Sequence, residues 1–208
     1  MALKLITAPE RMPVTLEEAK AHLEVEHNDR DDAIQTMIAA ATAFCEGPDG
    51  VLQLALNPQT WEWSLDCFPS CRWWEVPLKK LIAVDSIKYT DVAGDEQTID
   101  AENYTVDTAS IPGRIVFISG FVAPTTLLGG ANVVRVRFQA GYPEDQPDSG
   151  IDEPPTSTVP SPIKIAIMMM VGDMFDNRET VSADALAKIP SAATVDLLLR
   201  PFKPFILA

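Results

Sequence analysis

The chain has 208 residues, 47% of them apolar and 22% charged, with a formal net charge of −14. That composition is globular and long enough for one ordinary domain or two small ones sharing an interface. So acidic a surface repels nucleic acid at long range, which argues against a grip on DNA phosphates but suits a wall past which DNA slides.

The opening MALKLITAPERMP has no long apolar core and is broken by Pro9 and Pro13, so no signal peptide is expected there. Thr15-Leu16-Glu17-Glu18 then reads as a capping box, in which the threonine hydroxyl takes a free amide while Glu18 reaches back. It opens a helix with Leu16, Ala19 and Leu23 on one face. Asn28 or Asp29 is expected to cap a second helix, whose early acids Asp29, Asp31 and Asp32 suit the positive end of the helix dipole. Ile34, Met37, Ile38, Ala41 and Phe44 keep helical spacing along it, and Gly47-Pro48-Asp49-Gly50 stops it.

The pattern then changes to strands. Trp61, Trp63 and Leu65 alternate with Glu62, Ser64 and Asp66, and further strands are expected at WWEV, VDSIKYT, NYTVDT, RIVFI and VVRVRFQA. In the last, Val134, Val136 and Phe138 face one way and Arg135 and Arg137 the other. From Tyr142 to Pro160 the chain is acidic and proline-rich without periodicity, which reads as a linker. Ser161-Pro162 is a helix start, and the helix IKIAIMMMVGDMFDNRE is apolar nearly all round in its first half, so burial on several sides is expected. Its apolar run is far too short to span a membrane. A loop from Thr180 to Pro190 leads to Ser191, read as the cap of a short helix that Pro201 ends.

These elements predict an α+β fold. Residues 1–50 and 155–199 are expected to pack as one discontinuous helical bundle, with residues 51–142 inserted as a small antiparallel β unit. An acidic linker (143–160) and an extended tail (200–208) complete the division. Each helix pair alone has too little apolar surface for a core, which is why the two are read together.

Little in the sequence suggests chemistry, and no catalytic residue, metal or cofactor is expected. His22 and His27 are five apart and do not share a helix face well, so they read as solvated side chains. Cys67 and Cys71 have only Cys45 to join them and no suitably placed histidine, so reduced thiols are favoured over zinc. Three cysteines make no disulfide framework, which fits synthesis in a reducing cytoplasm. Clusters such as Asp29-Arg30-Asp31-Asp32 read as solvated faces, and phosphate-loop, G-x-S-x-G and H-E-x-x-H motifs are lacking. Met168, Met169, Met170 and Met174 are read mostly as core. Arg178 and Glu179 have two open readings: an inter-subunit ion pair, or a solvated helix end.

Four stretches together resemble the head-to-tail connector (adaptor) proteins of long-tailed bacteriophages and gene-transfer particles. They are PVTLEEAKAHLEV, DDAIQTMIAAATAFCE, TWEWSLDCFP and IKIAIMMMVGDMFDNRETV, and VGDMFDNRE is the most telling. The match rests on their order, from about Leu5 to the last helix, and includes no catalytic signature. The resemblance implies a virion protein at the head–tail interface, forming a ring, usually of twelve copies, beneath the portal protein. Such a ring lengthens the DNA channel, lets DNA pass without specific binding, and offers a platform to stopper or tail-terminator proteins. It also implies a C-terminal segment that reaches into the portal, here Arg200, Pro201, Phe202, Lys203, Pro204, Phe205, Ile206 and Leu207.

Burial of Phe202, Phe205, Ile206 and Leu207 is worth about 6–12 kcal/mol gross, and ordering the tail costs about as much. One tail is therefore expected to bind weakly and a ring of tails tightly, because each later docking is intramolecular. Two rival readings are a carboxylate-dependent hydrolase or nuclease and a carbohydrate-binding virion accessory protein. The latter would use Trp61, Trp63, Trp73 and Trp74 as a stacking platform, although alternation favours burial of Trp61 and Trp63.

Overall fold

In strand β8, Val134–Ala140, residues 134, 136, 138 and 140 point to one face and are fully buried. That strand organises the first of two compact units, Met1–Glu10 with Asn57–Glu144; the second is Arg11–Leu56 with Asp145–Ala208. The computed structural model describes residues 2–127, 130–145, 156–177 and 190–204.

The first unit holds strands β1 (Ala2–Thr7), β2 (Gln59–Leu65), β3 (Trp73–Glu75), β4 (Leu81–Thr90), β5 (Glu96–Thr98), β6 (Tyr104–Asp107) and β7 (Arg114–Phe117) besides β8. They form a five-stranded sheet in the order β1-β2-β8-β4-β5 and a three-stranded sheet β3-β7-β6, antiparallel throughout. Register aligns apolar rows across the larger sheet: Leu5, Trp61, Phe138 and Val84 in one, Leu3, Trp63, Val136 and Ile87 in the next. In β4 the apolar residues Leu81, Val84 and Ile87 are spaced by three, not two. Register shifts between Leu81 and Ala83 and between Val84 and Ser86 absorb the extra residues, as β-bulges do.

Trp63 meets Trp74 edge-on at 6.4 Å, and Trp74 packs on Phe117 at 4.5 Å, so aromatic contacts join the two sheets. Gly141 ends β8 at φ +140°, where a Cβ would lie 2.4 Å from the backbone oxygen of Asn57, so only glycine fits.

Strand β1 lies in a stretch for which the sequence predicts no element and which the expected division gives to the helices. ALKLIT lacks clean alternation, and pairing with β2 recruits it. The chain re-enters this unit at Asn57, not at Val51. Leu52, Leu54 and Leu56 are buried, and their loop is tied to the end of a helix by Val51 N–H to Phe44 O (3.0 Å) and Leu56 N–H to Glu46 Oε2 (3.2 Å).

The second unit contains helices α1 (Leu16–His22), α2 (Asp31–Cys45), α3 (Ser161–Asp176) and α4 (Pro190–Leu199). The capping box is formed: Glu18 N–H donates to Thr15 Oγ1 at 3.1 Å and Thr15 N–H to Glu18 Oε2 at 2.8 Å. Helix α2 starts at Asp31 after Arg30, with no side-chain cap. Asn28, read as a cap, instead accepts from Lys20 Nζ, which also bridges to Asp31 at 2.8 Å and so holds the α1–α2 corner. Helix α3 contacts α1, α2 and α4. Ile163, Ala166, Ile167 and Val171 are its buried residues, while Met168, Met169, Met170 and Met174 are half-buried. The methionines are thus less enclosed than expected, because one stripe of the helix carries the tight packing. Where the sequence reads one linker, two-residue strands β9 (Glu144–Asp145) and β10 (Thr156–Ser157) pair.

Phe138→Ala should cost about 3–5 kcal/mol, since it hollows the centre of the large sheet. Thr15→Ala should cost about 1 kcal/mol, the worth of one cap. Urea unfolding midpoints at unchanged m-value check both.

Candidate functional site

The described residues contain no group of His, Cys, Asp and Glu side chains able to hold a metal ion. His22 and His27 are both exposed. Among the described residues, the carboxylates with clearly shifted acidity all move down. The cause is chiefly the Asp95 amide for Asp91, Lys88 for Glu96, the Ser110 hydroxyl for Asp107 and Lys203 for Asp196. Asp107 falls to about 2, where it accepts from Ser110 Oγ (2.6 Å) and Arg114 Nη2 (3.0 Å). A general acid at neutral pH requires the opposite shift.

Cys45 is buried, and burial, helped by Glu46, pushes its thiol up to about 11; Cys67 and Cys71 are exposed. The tryptophans do not form a platform. Trp61, Trp63 and Trp74 are buried, and Trp73 alone of the four is exposed, with the Arg114 guanidinium 6.0 Å from its ring centre. Alternation placed Trp61 and Trp63 correctly.

What the fold does present is a set of surfaces. In the second unit an apolar groove of about 350 Å³ lies between α2, α3 and α4, with Phe44, Val51, Met170, Val195 and Leu199 among its lining. Helical spacing predicts a buried Phe44, but the inward position of that turn is taken by Cys45, and Phe44 stands 54% exposed on the groove rim. Lys203 also lines the groove and is ion-paired with Asp196 of α4. The tail therefore leaves from the groove wall. Arg200, Pro201 and Phe202 form a 3-10 turn after α4, with Arg200 and Pro201 exposed and Phe202, Lys203 and Pro204 half-buried. Phe205, Ile206 and Leu207, and the pair Arg178 and Glu179, lie outside the described residues.

In the first unit the polar face of the large sheet carries a charge ladder. Arg137 pairs with Glu62 at 3.2 Å, Lys88 with Glu96 at 2.6 Å, and Arg135 with the same Glu96. The two outermost strands, β1 and β5, are exposed along almost their whole length. Sequence reasoning missed both, because an edge is a property of sheet order and not of composition.

No protein-family model matches the sequence, and no curated protein matches it. Solved structures do. A chain in the virion of a native gene transfer agent particle is 18% identical with a TM-score of 0.76. Chains in the neck of the empty particle computed with C6 symmetry and of the native particle computed with C12 symmetry are each 19% identical, with TM-scores of 0.76 and 0.74. In each comparison the match covers 100% of this chain and 98% of the other. The protein thus has the fold of these particle chains over its whole length. No helix among the described residues is long and apolar enough to cross a membrane.

In the native protein, Cys67 and Cys71 should react with a thiol reagent and Cys45 only after unfolding, giving two fast thiols and a third in denaturant. Asp107 should titrate near 2. Its depressed value means that its stabilising contacts are complete above the ordinary carboxylate range and are lost as pH falls through about 2. Carboxylate NMR checks this, and Arg114→Ala should move the midpoint up.

Proposed function

We propose that the chain is a structural, non-catalytic component of a particle neck: a head–tail adaptor of the connector family, ring-forming beneath a portal protein. The observation that carries this reading is the full-length structural match to neck chains, at 100% coverage of this chain. Two of its own features support the role. A net charge of −14 suits the wall of a conduit through which DNA moves during packaging and ejection without sticking. The C-terminal segment is apolar, helix-breaking and rooted on an exposed groove wall.

In this reading about twelve copies form the ring, and stopper or tail-terminator proteins attach below it. Arg200 to Leu207 enter grooves of the portal, where Phe202, Phe205, Ile206 and Leu207 supply the burial and Arg200 and Lys203 the charge. Arg178 and Glu179 are candidates for contacts between copies. The bulk of the fold positions the tail, and multivalency converts weak single dockings into firm attachment.

The test is retention on purified portal rings. Deleting Pro201–Ala208, or changing Phe205, Ile206 and Leu207 to serine in the full chain, should reduce attachment by about 100-fold or more. Unchanged attachment of both variants would overturn the docking role of the tail. Cross-linking of the tail to Phe44 or Met170 of its own subunit, in the portal-bound state, would do the same.

A further inference from the structure

The five-stranded sheet ends in two strands of opposite character. Strand β1 pairs with β2 on one side and, among the described residues, has no strand on the other. Only Leu3 of its six residues is as much as half-buried, and Leu5 and Ile6 are 40% and 38% exposed. From Ala2 to Pro9 the chain carries Lys4 and no acid. Lys4 has no ion pair among the described residues.

Strand β5, at the other end, is three residues long and wholly exposed. From Asp91 to Glu102 its segment contains Asp91, Asp95, Glu96, Asp100 and Glu102 and no base, and Val92 at its turn is 62% exposed. Asp91 is occupied by Gln97 and local amides, and Glu96 by Lys88 and Arg135. The carboxylates of Asp95, Asp100 and Glu102 have no hydrogen bond or ion pair among the described residues.

An open sheet edge is a row of unpaired donors and acceptors, ready to accept another strand. One edge here offers leucine, isoleucine and a lysine, the other valine and three acids, and these four charges have no ion pair among the described residues. Two different complementary edges on one subunit make head-to-tail contacts, which propagate and can close into a ring. Pairing of β1 with another β1 would stop at a dimer.

We propose that copies of this chain join edge to edge, with β1 of one copy along the β5 edge of the next, Lys4 against the acidic segment and Leu5 and Ile6 against Val92. This seam rests on the ring reading above and names the surface that closes the ring. It also explains why β1 hides so little: its second covering is a neighbour.

Sedimentation velocity of the full chain over a concentration series tests it. The chain should associate beyond a dimer. Lys4→Glu should raise the concentration for half-assembly about tenfold, and Asp95→Lys with Asp100→Lys and Glu102→Lys should do the same. The two sets combined in one chain should return assembly to within about threefold of the unaltered protein, because the charges are exchanged and not lost. Thermal melts confirm that each variant is folded. A chain that stays monomeric or stops at dimers overturns the seam, as does assembly indifferent to Lys4→Glu or a combined variant no better than either parent. Portal attachment separates the two proposals: a monomer that still binds portal rings removes the seam alone, and an edge-joined assembly without portal affinity removes the adaptor reading alone.

Discussion

Strand β8 has partners on both sides, and its alternation admits only one register. A slip by one residue would carry Arg135 and Arg137 into the apolar layer and expel Val134, Val136 and Phe138. Both neighbours adapt to that constraint. Strand β2 meets it with Trp61 and Trp63 in the matching places, while β4, whose apolar residues are spaced by three, bends twice to comply. The smaller sheet is fixed to the same layer by Trp74, which reaches Trp63 on one side and Phe117 on the other. The charge ladder on the opposite face is the complement of the same alternation, since every buried side chain on β8 leaves a polar one facing out.

Much of this was legible in the sequence where a local rule sufficed. The capping box at Thr15 and Glu18, the alternation of β2 and β8 and the apolar stripe of α2 each follow from spacing alone. The failures have a common cause, which is partners distant in sequence. ALKLIT is a strand because β2 is available to it, some fifty residues on. VLQLAL looks like the start of the β block by composition, yet backbone hydrogen bonds to Phe44 and Cys45 keep Val51 and Leu52 with the helices. The exposure of Phe44 likewise depends on which turn of α2 meets α3, and helical spacing cannot distinguish Phe44 from Cys45.

The same division applies to the candidate surfaces. The chemistry of the tail is visible in RPFKPFILA, because proline and phenylalanine state their preferences locally. Its root on a groove wall is a tertiary fact, as is the contrast between the two ends of the large sheet. Acidity also acts at two levels. The overall charge is a property of the whole chain, whereas the cations Arg135, Arg137 and Lys88 are gathered on one sheet face, where Glu62 and Glu96 offset all but one of their charges. The rest of the chain therefore carries the whole of the formal negative charge.

Both units are assembled from separated stretches of chain: residues before Glu10 wait for those after Asn57, and residues before Leu56 wait for those after Asp145. During synthesis α1 and α2 emerge long before α3, and β1 and β2 long before β8. A ribosome that has released the first hundred residues has completed neither core. Such non-local closure slows folding and leaves apolar segments uncovered for longer. The nascent chain therefore keeps apolar segments uncovered until its last quarter has been translated, and a nonsense codon in that quarter before Leu199 leaves the helical unit without all or part of α3 or α4.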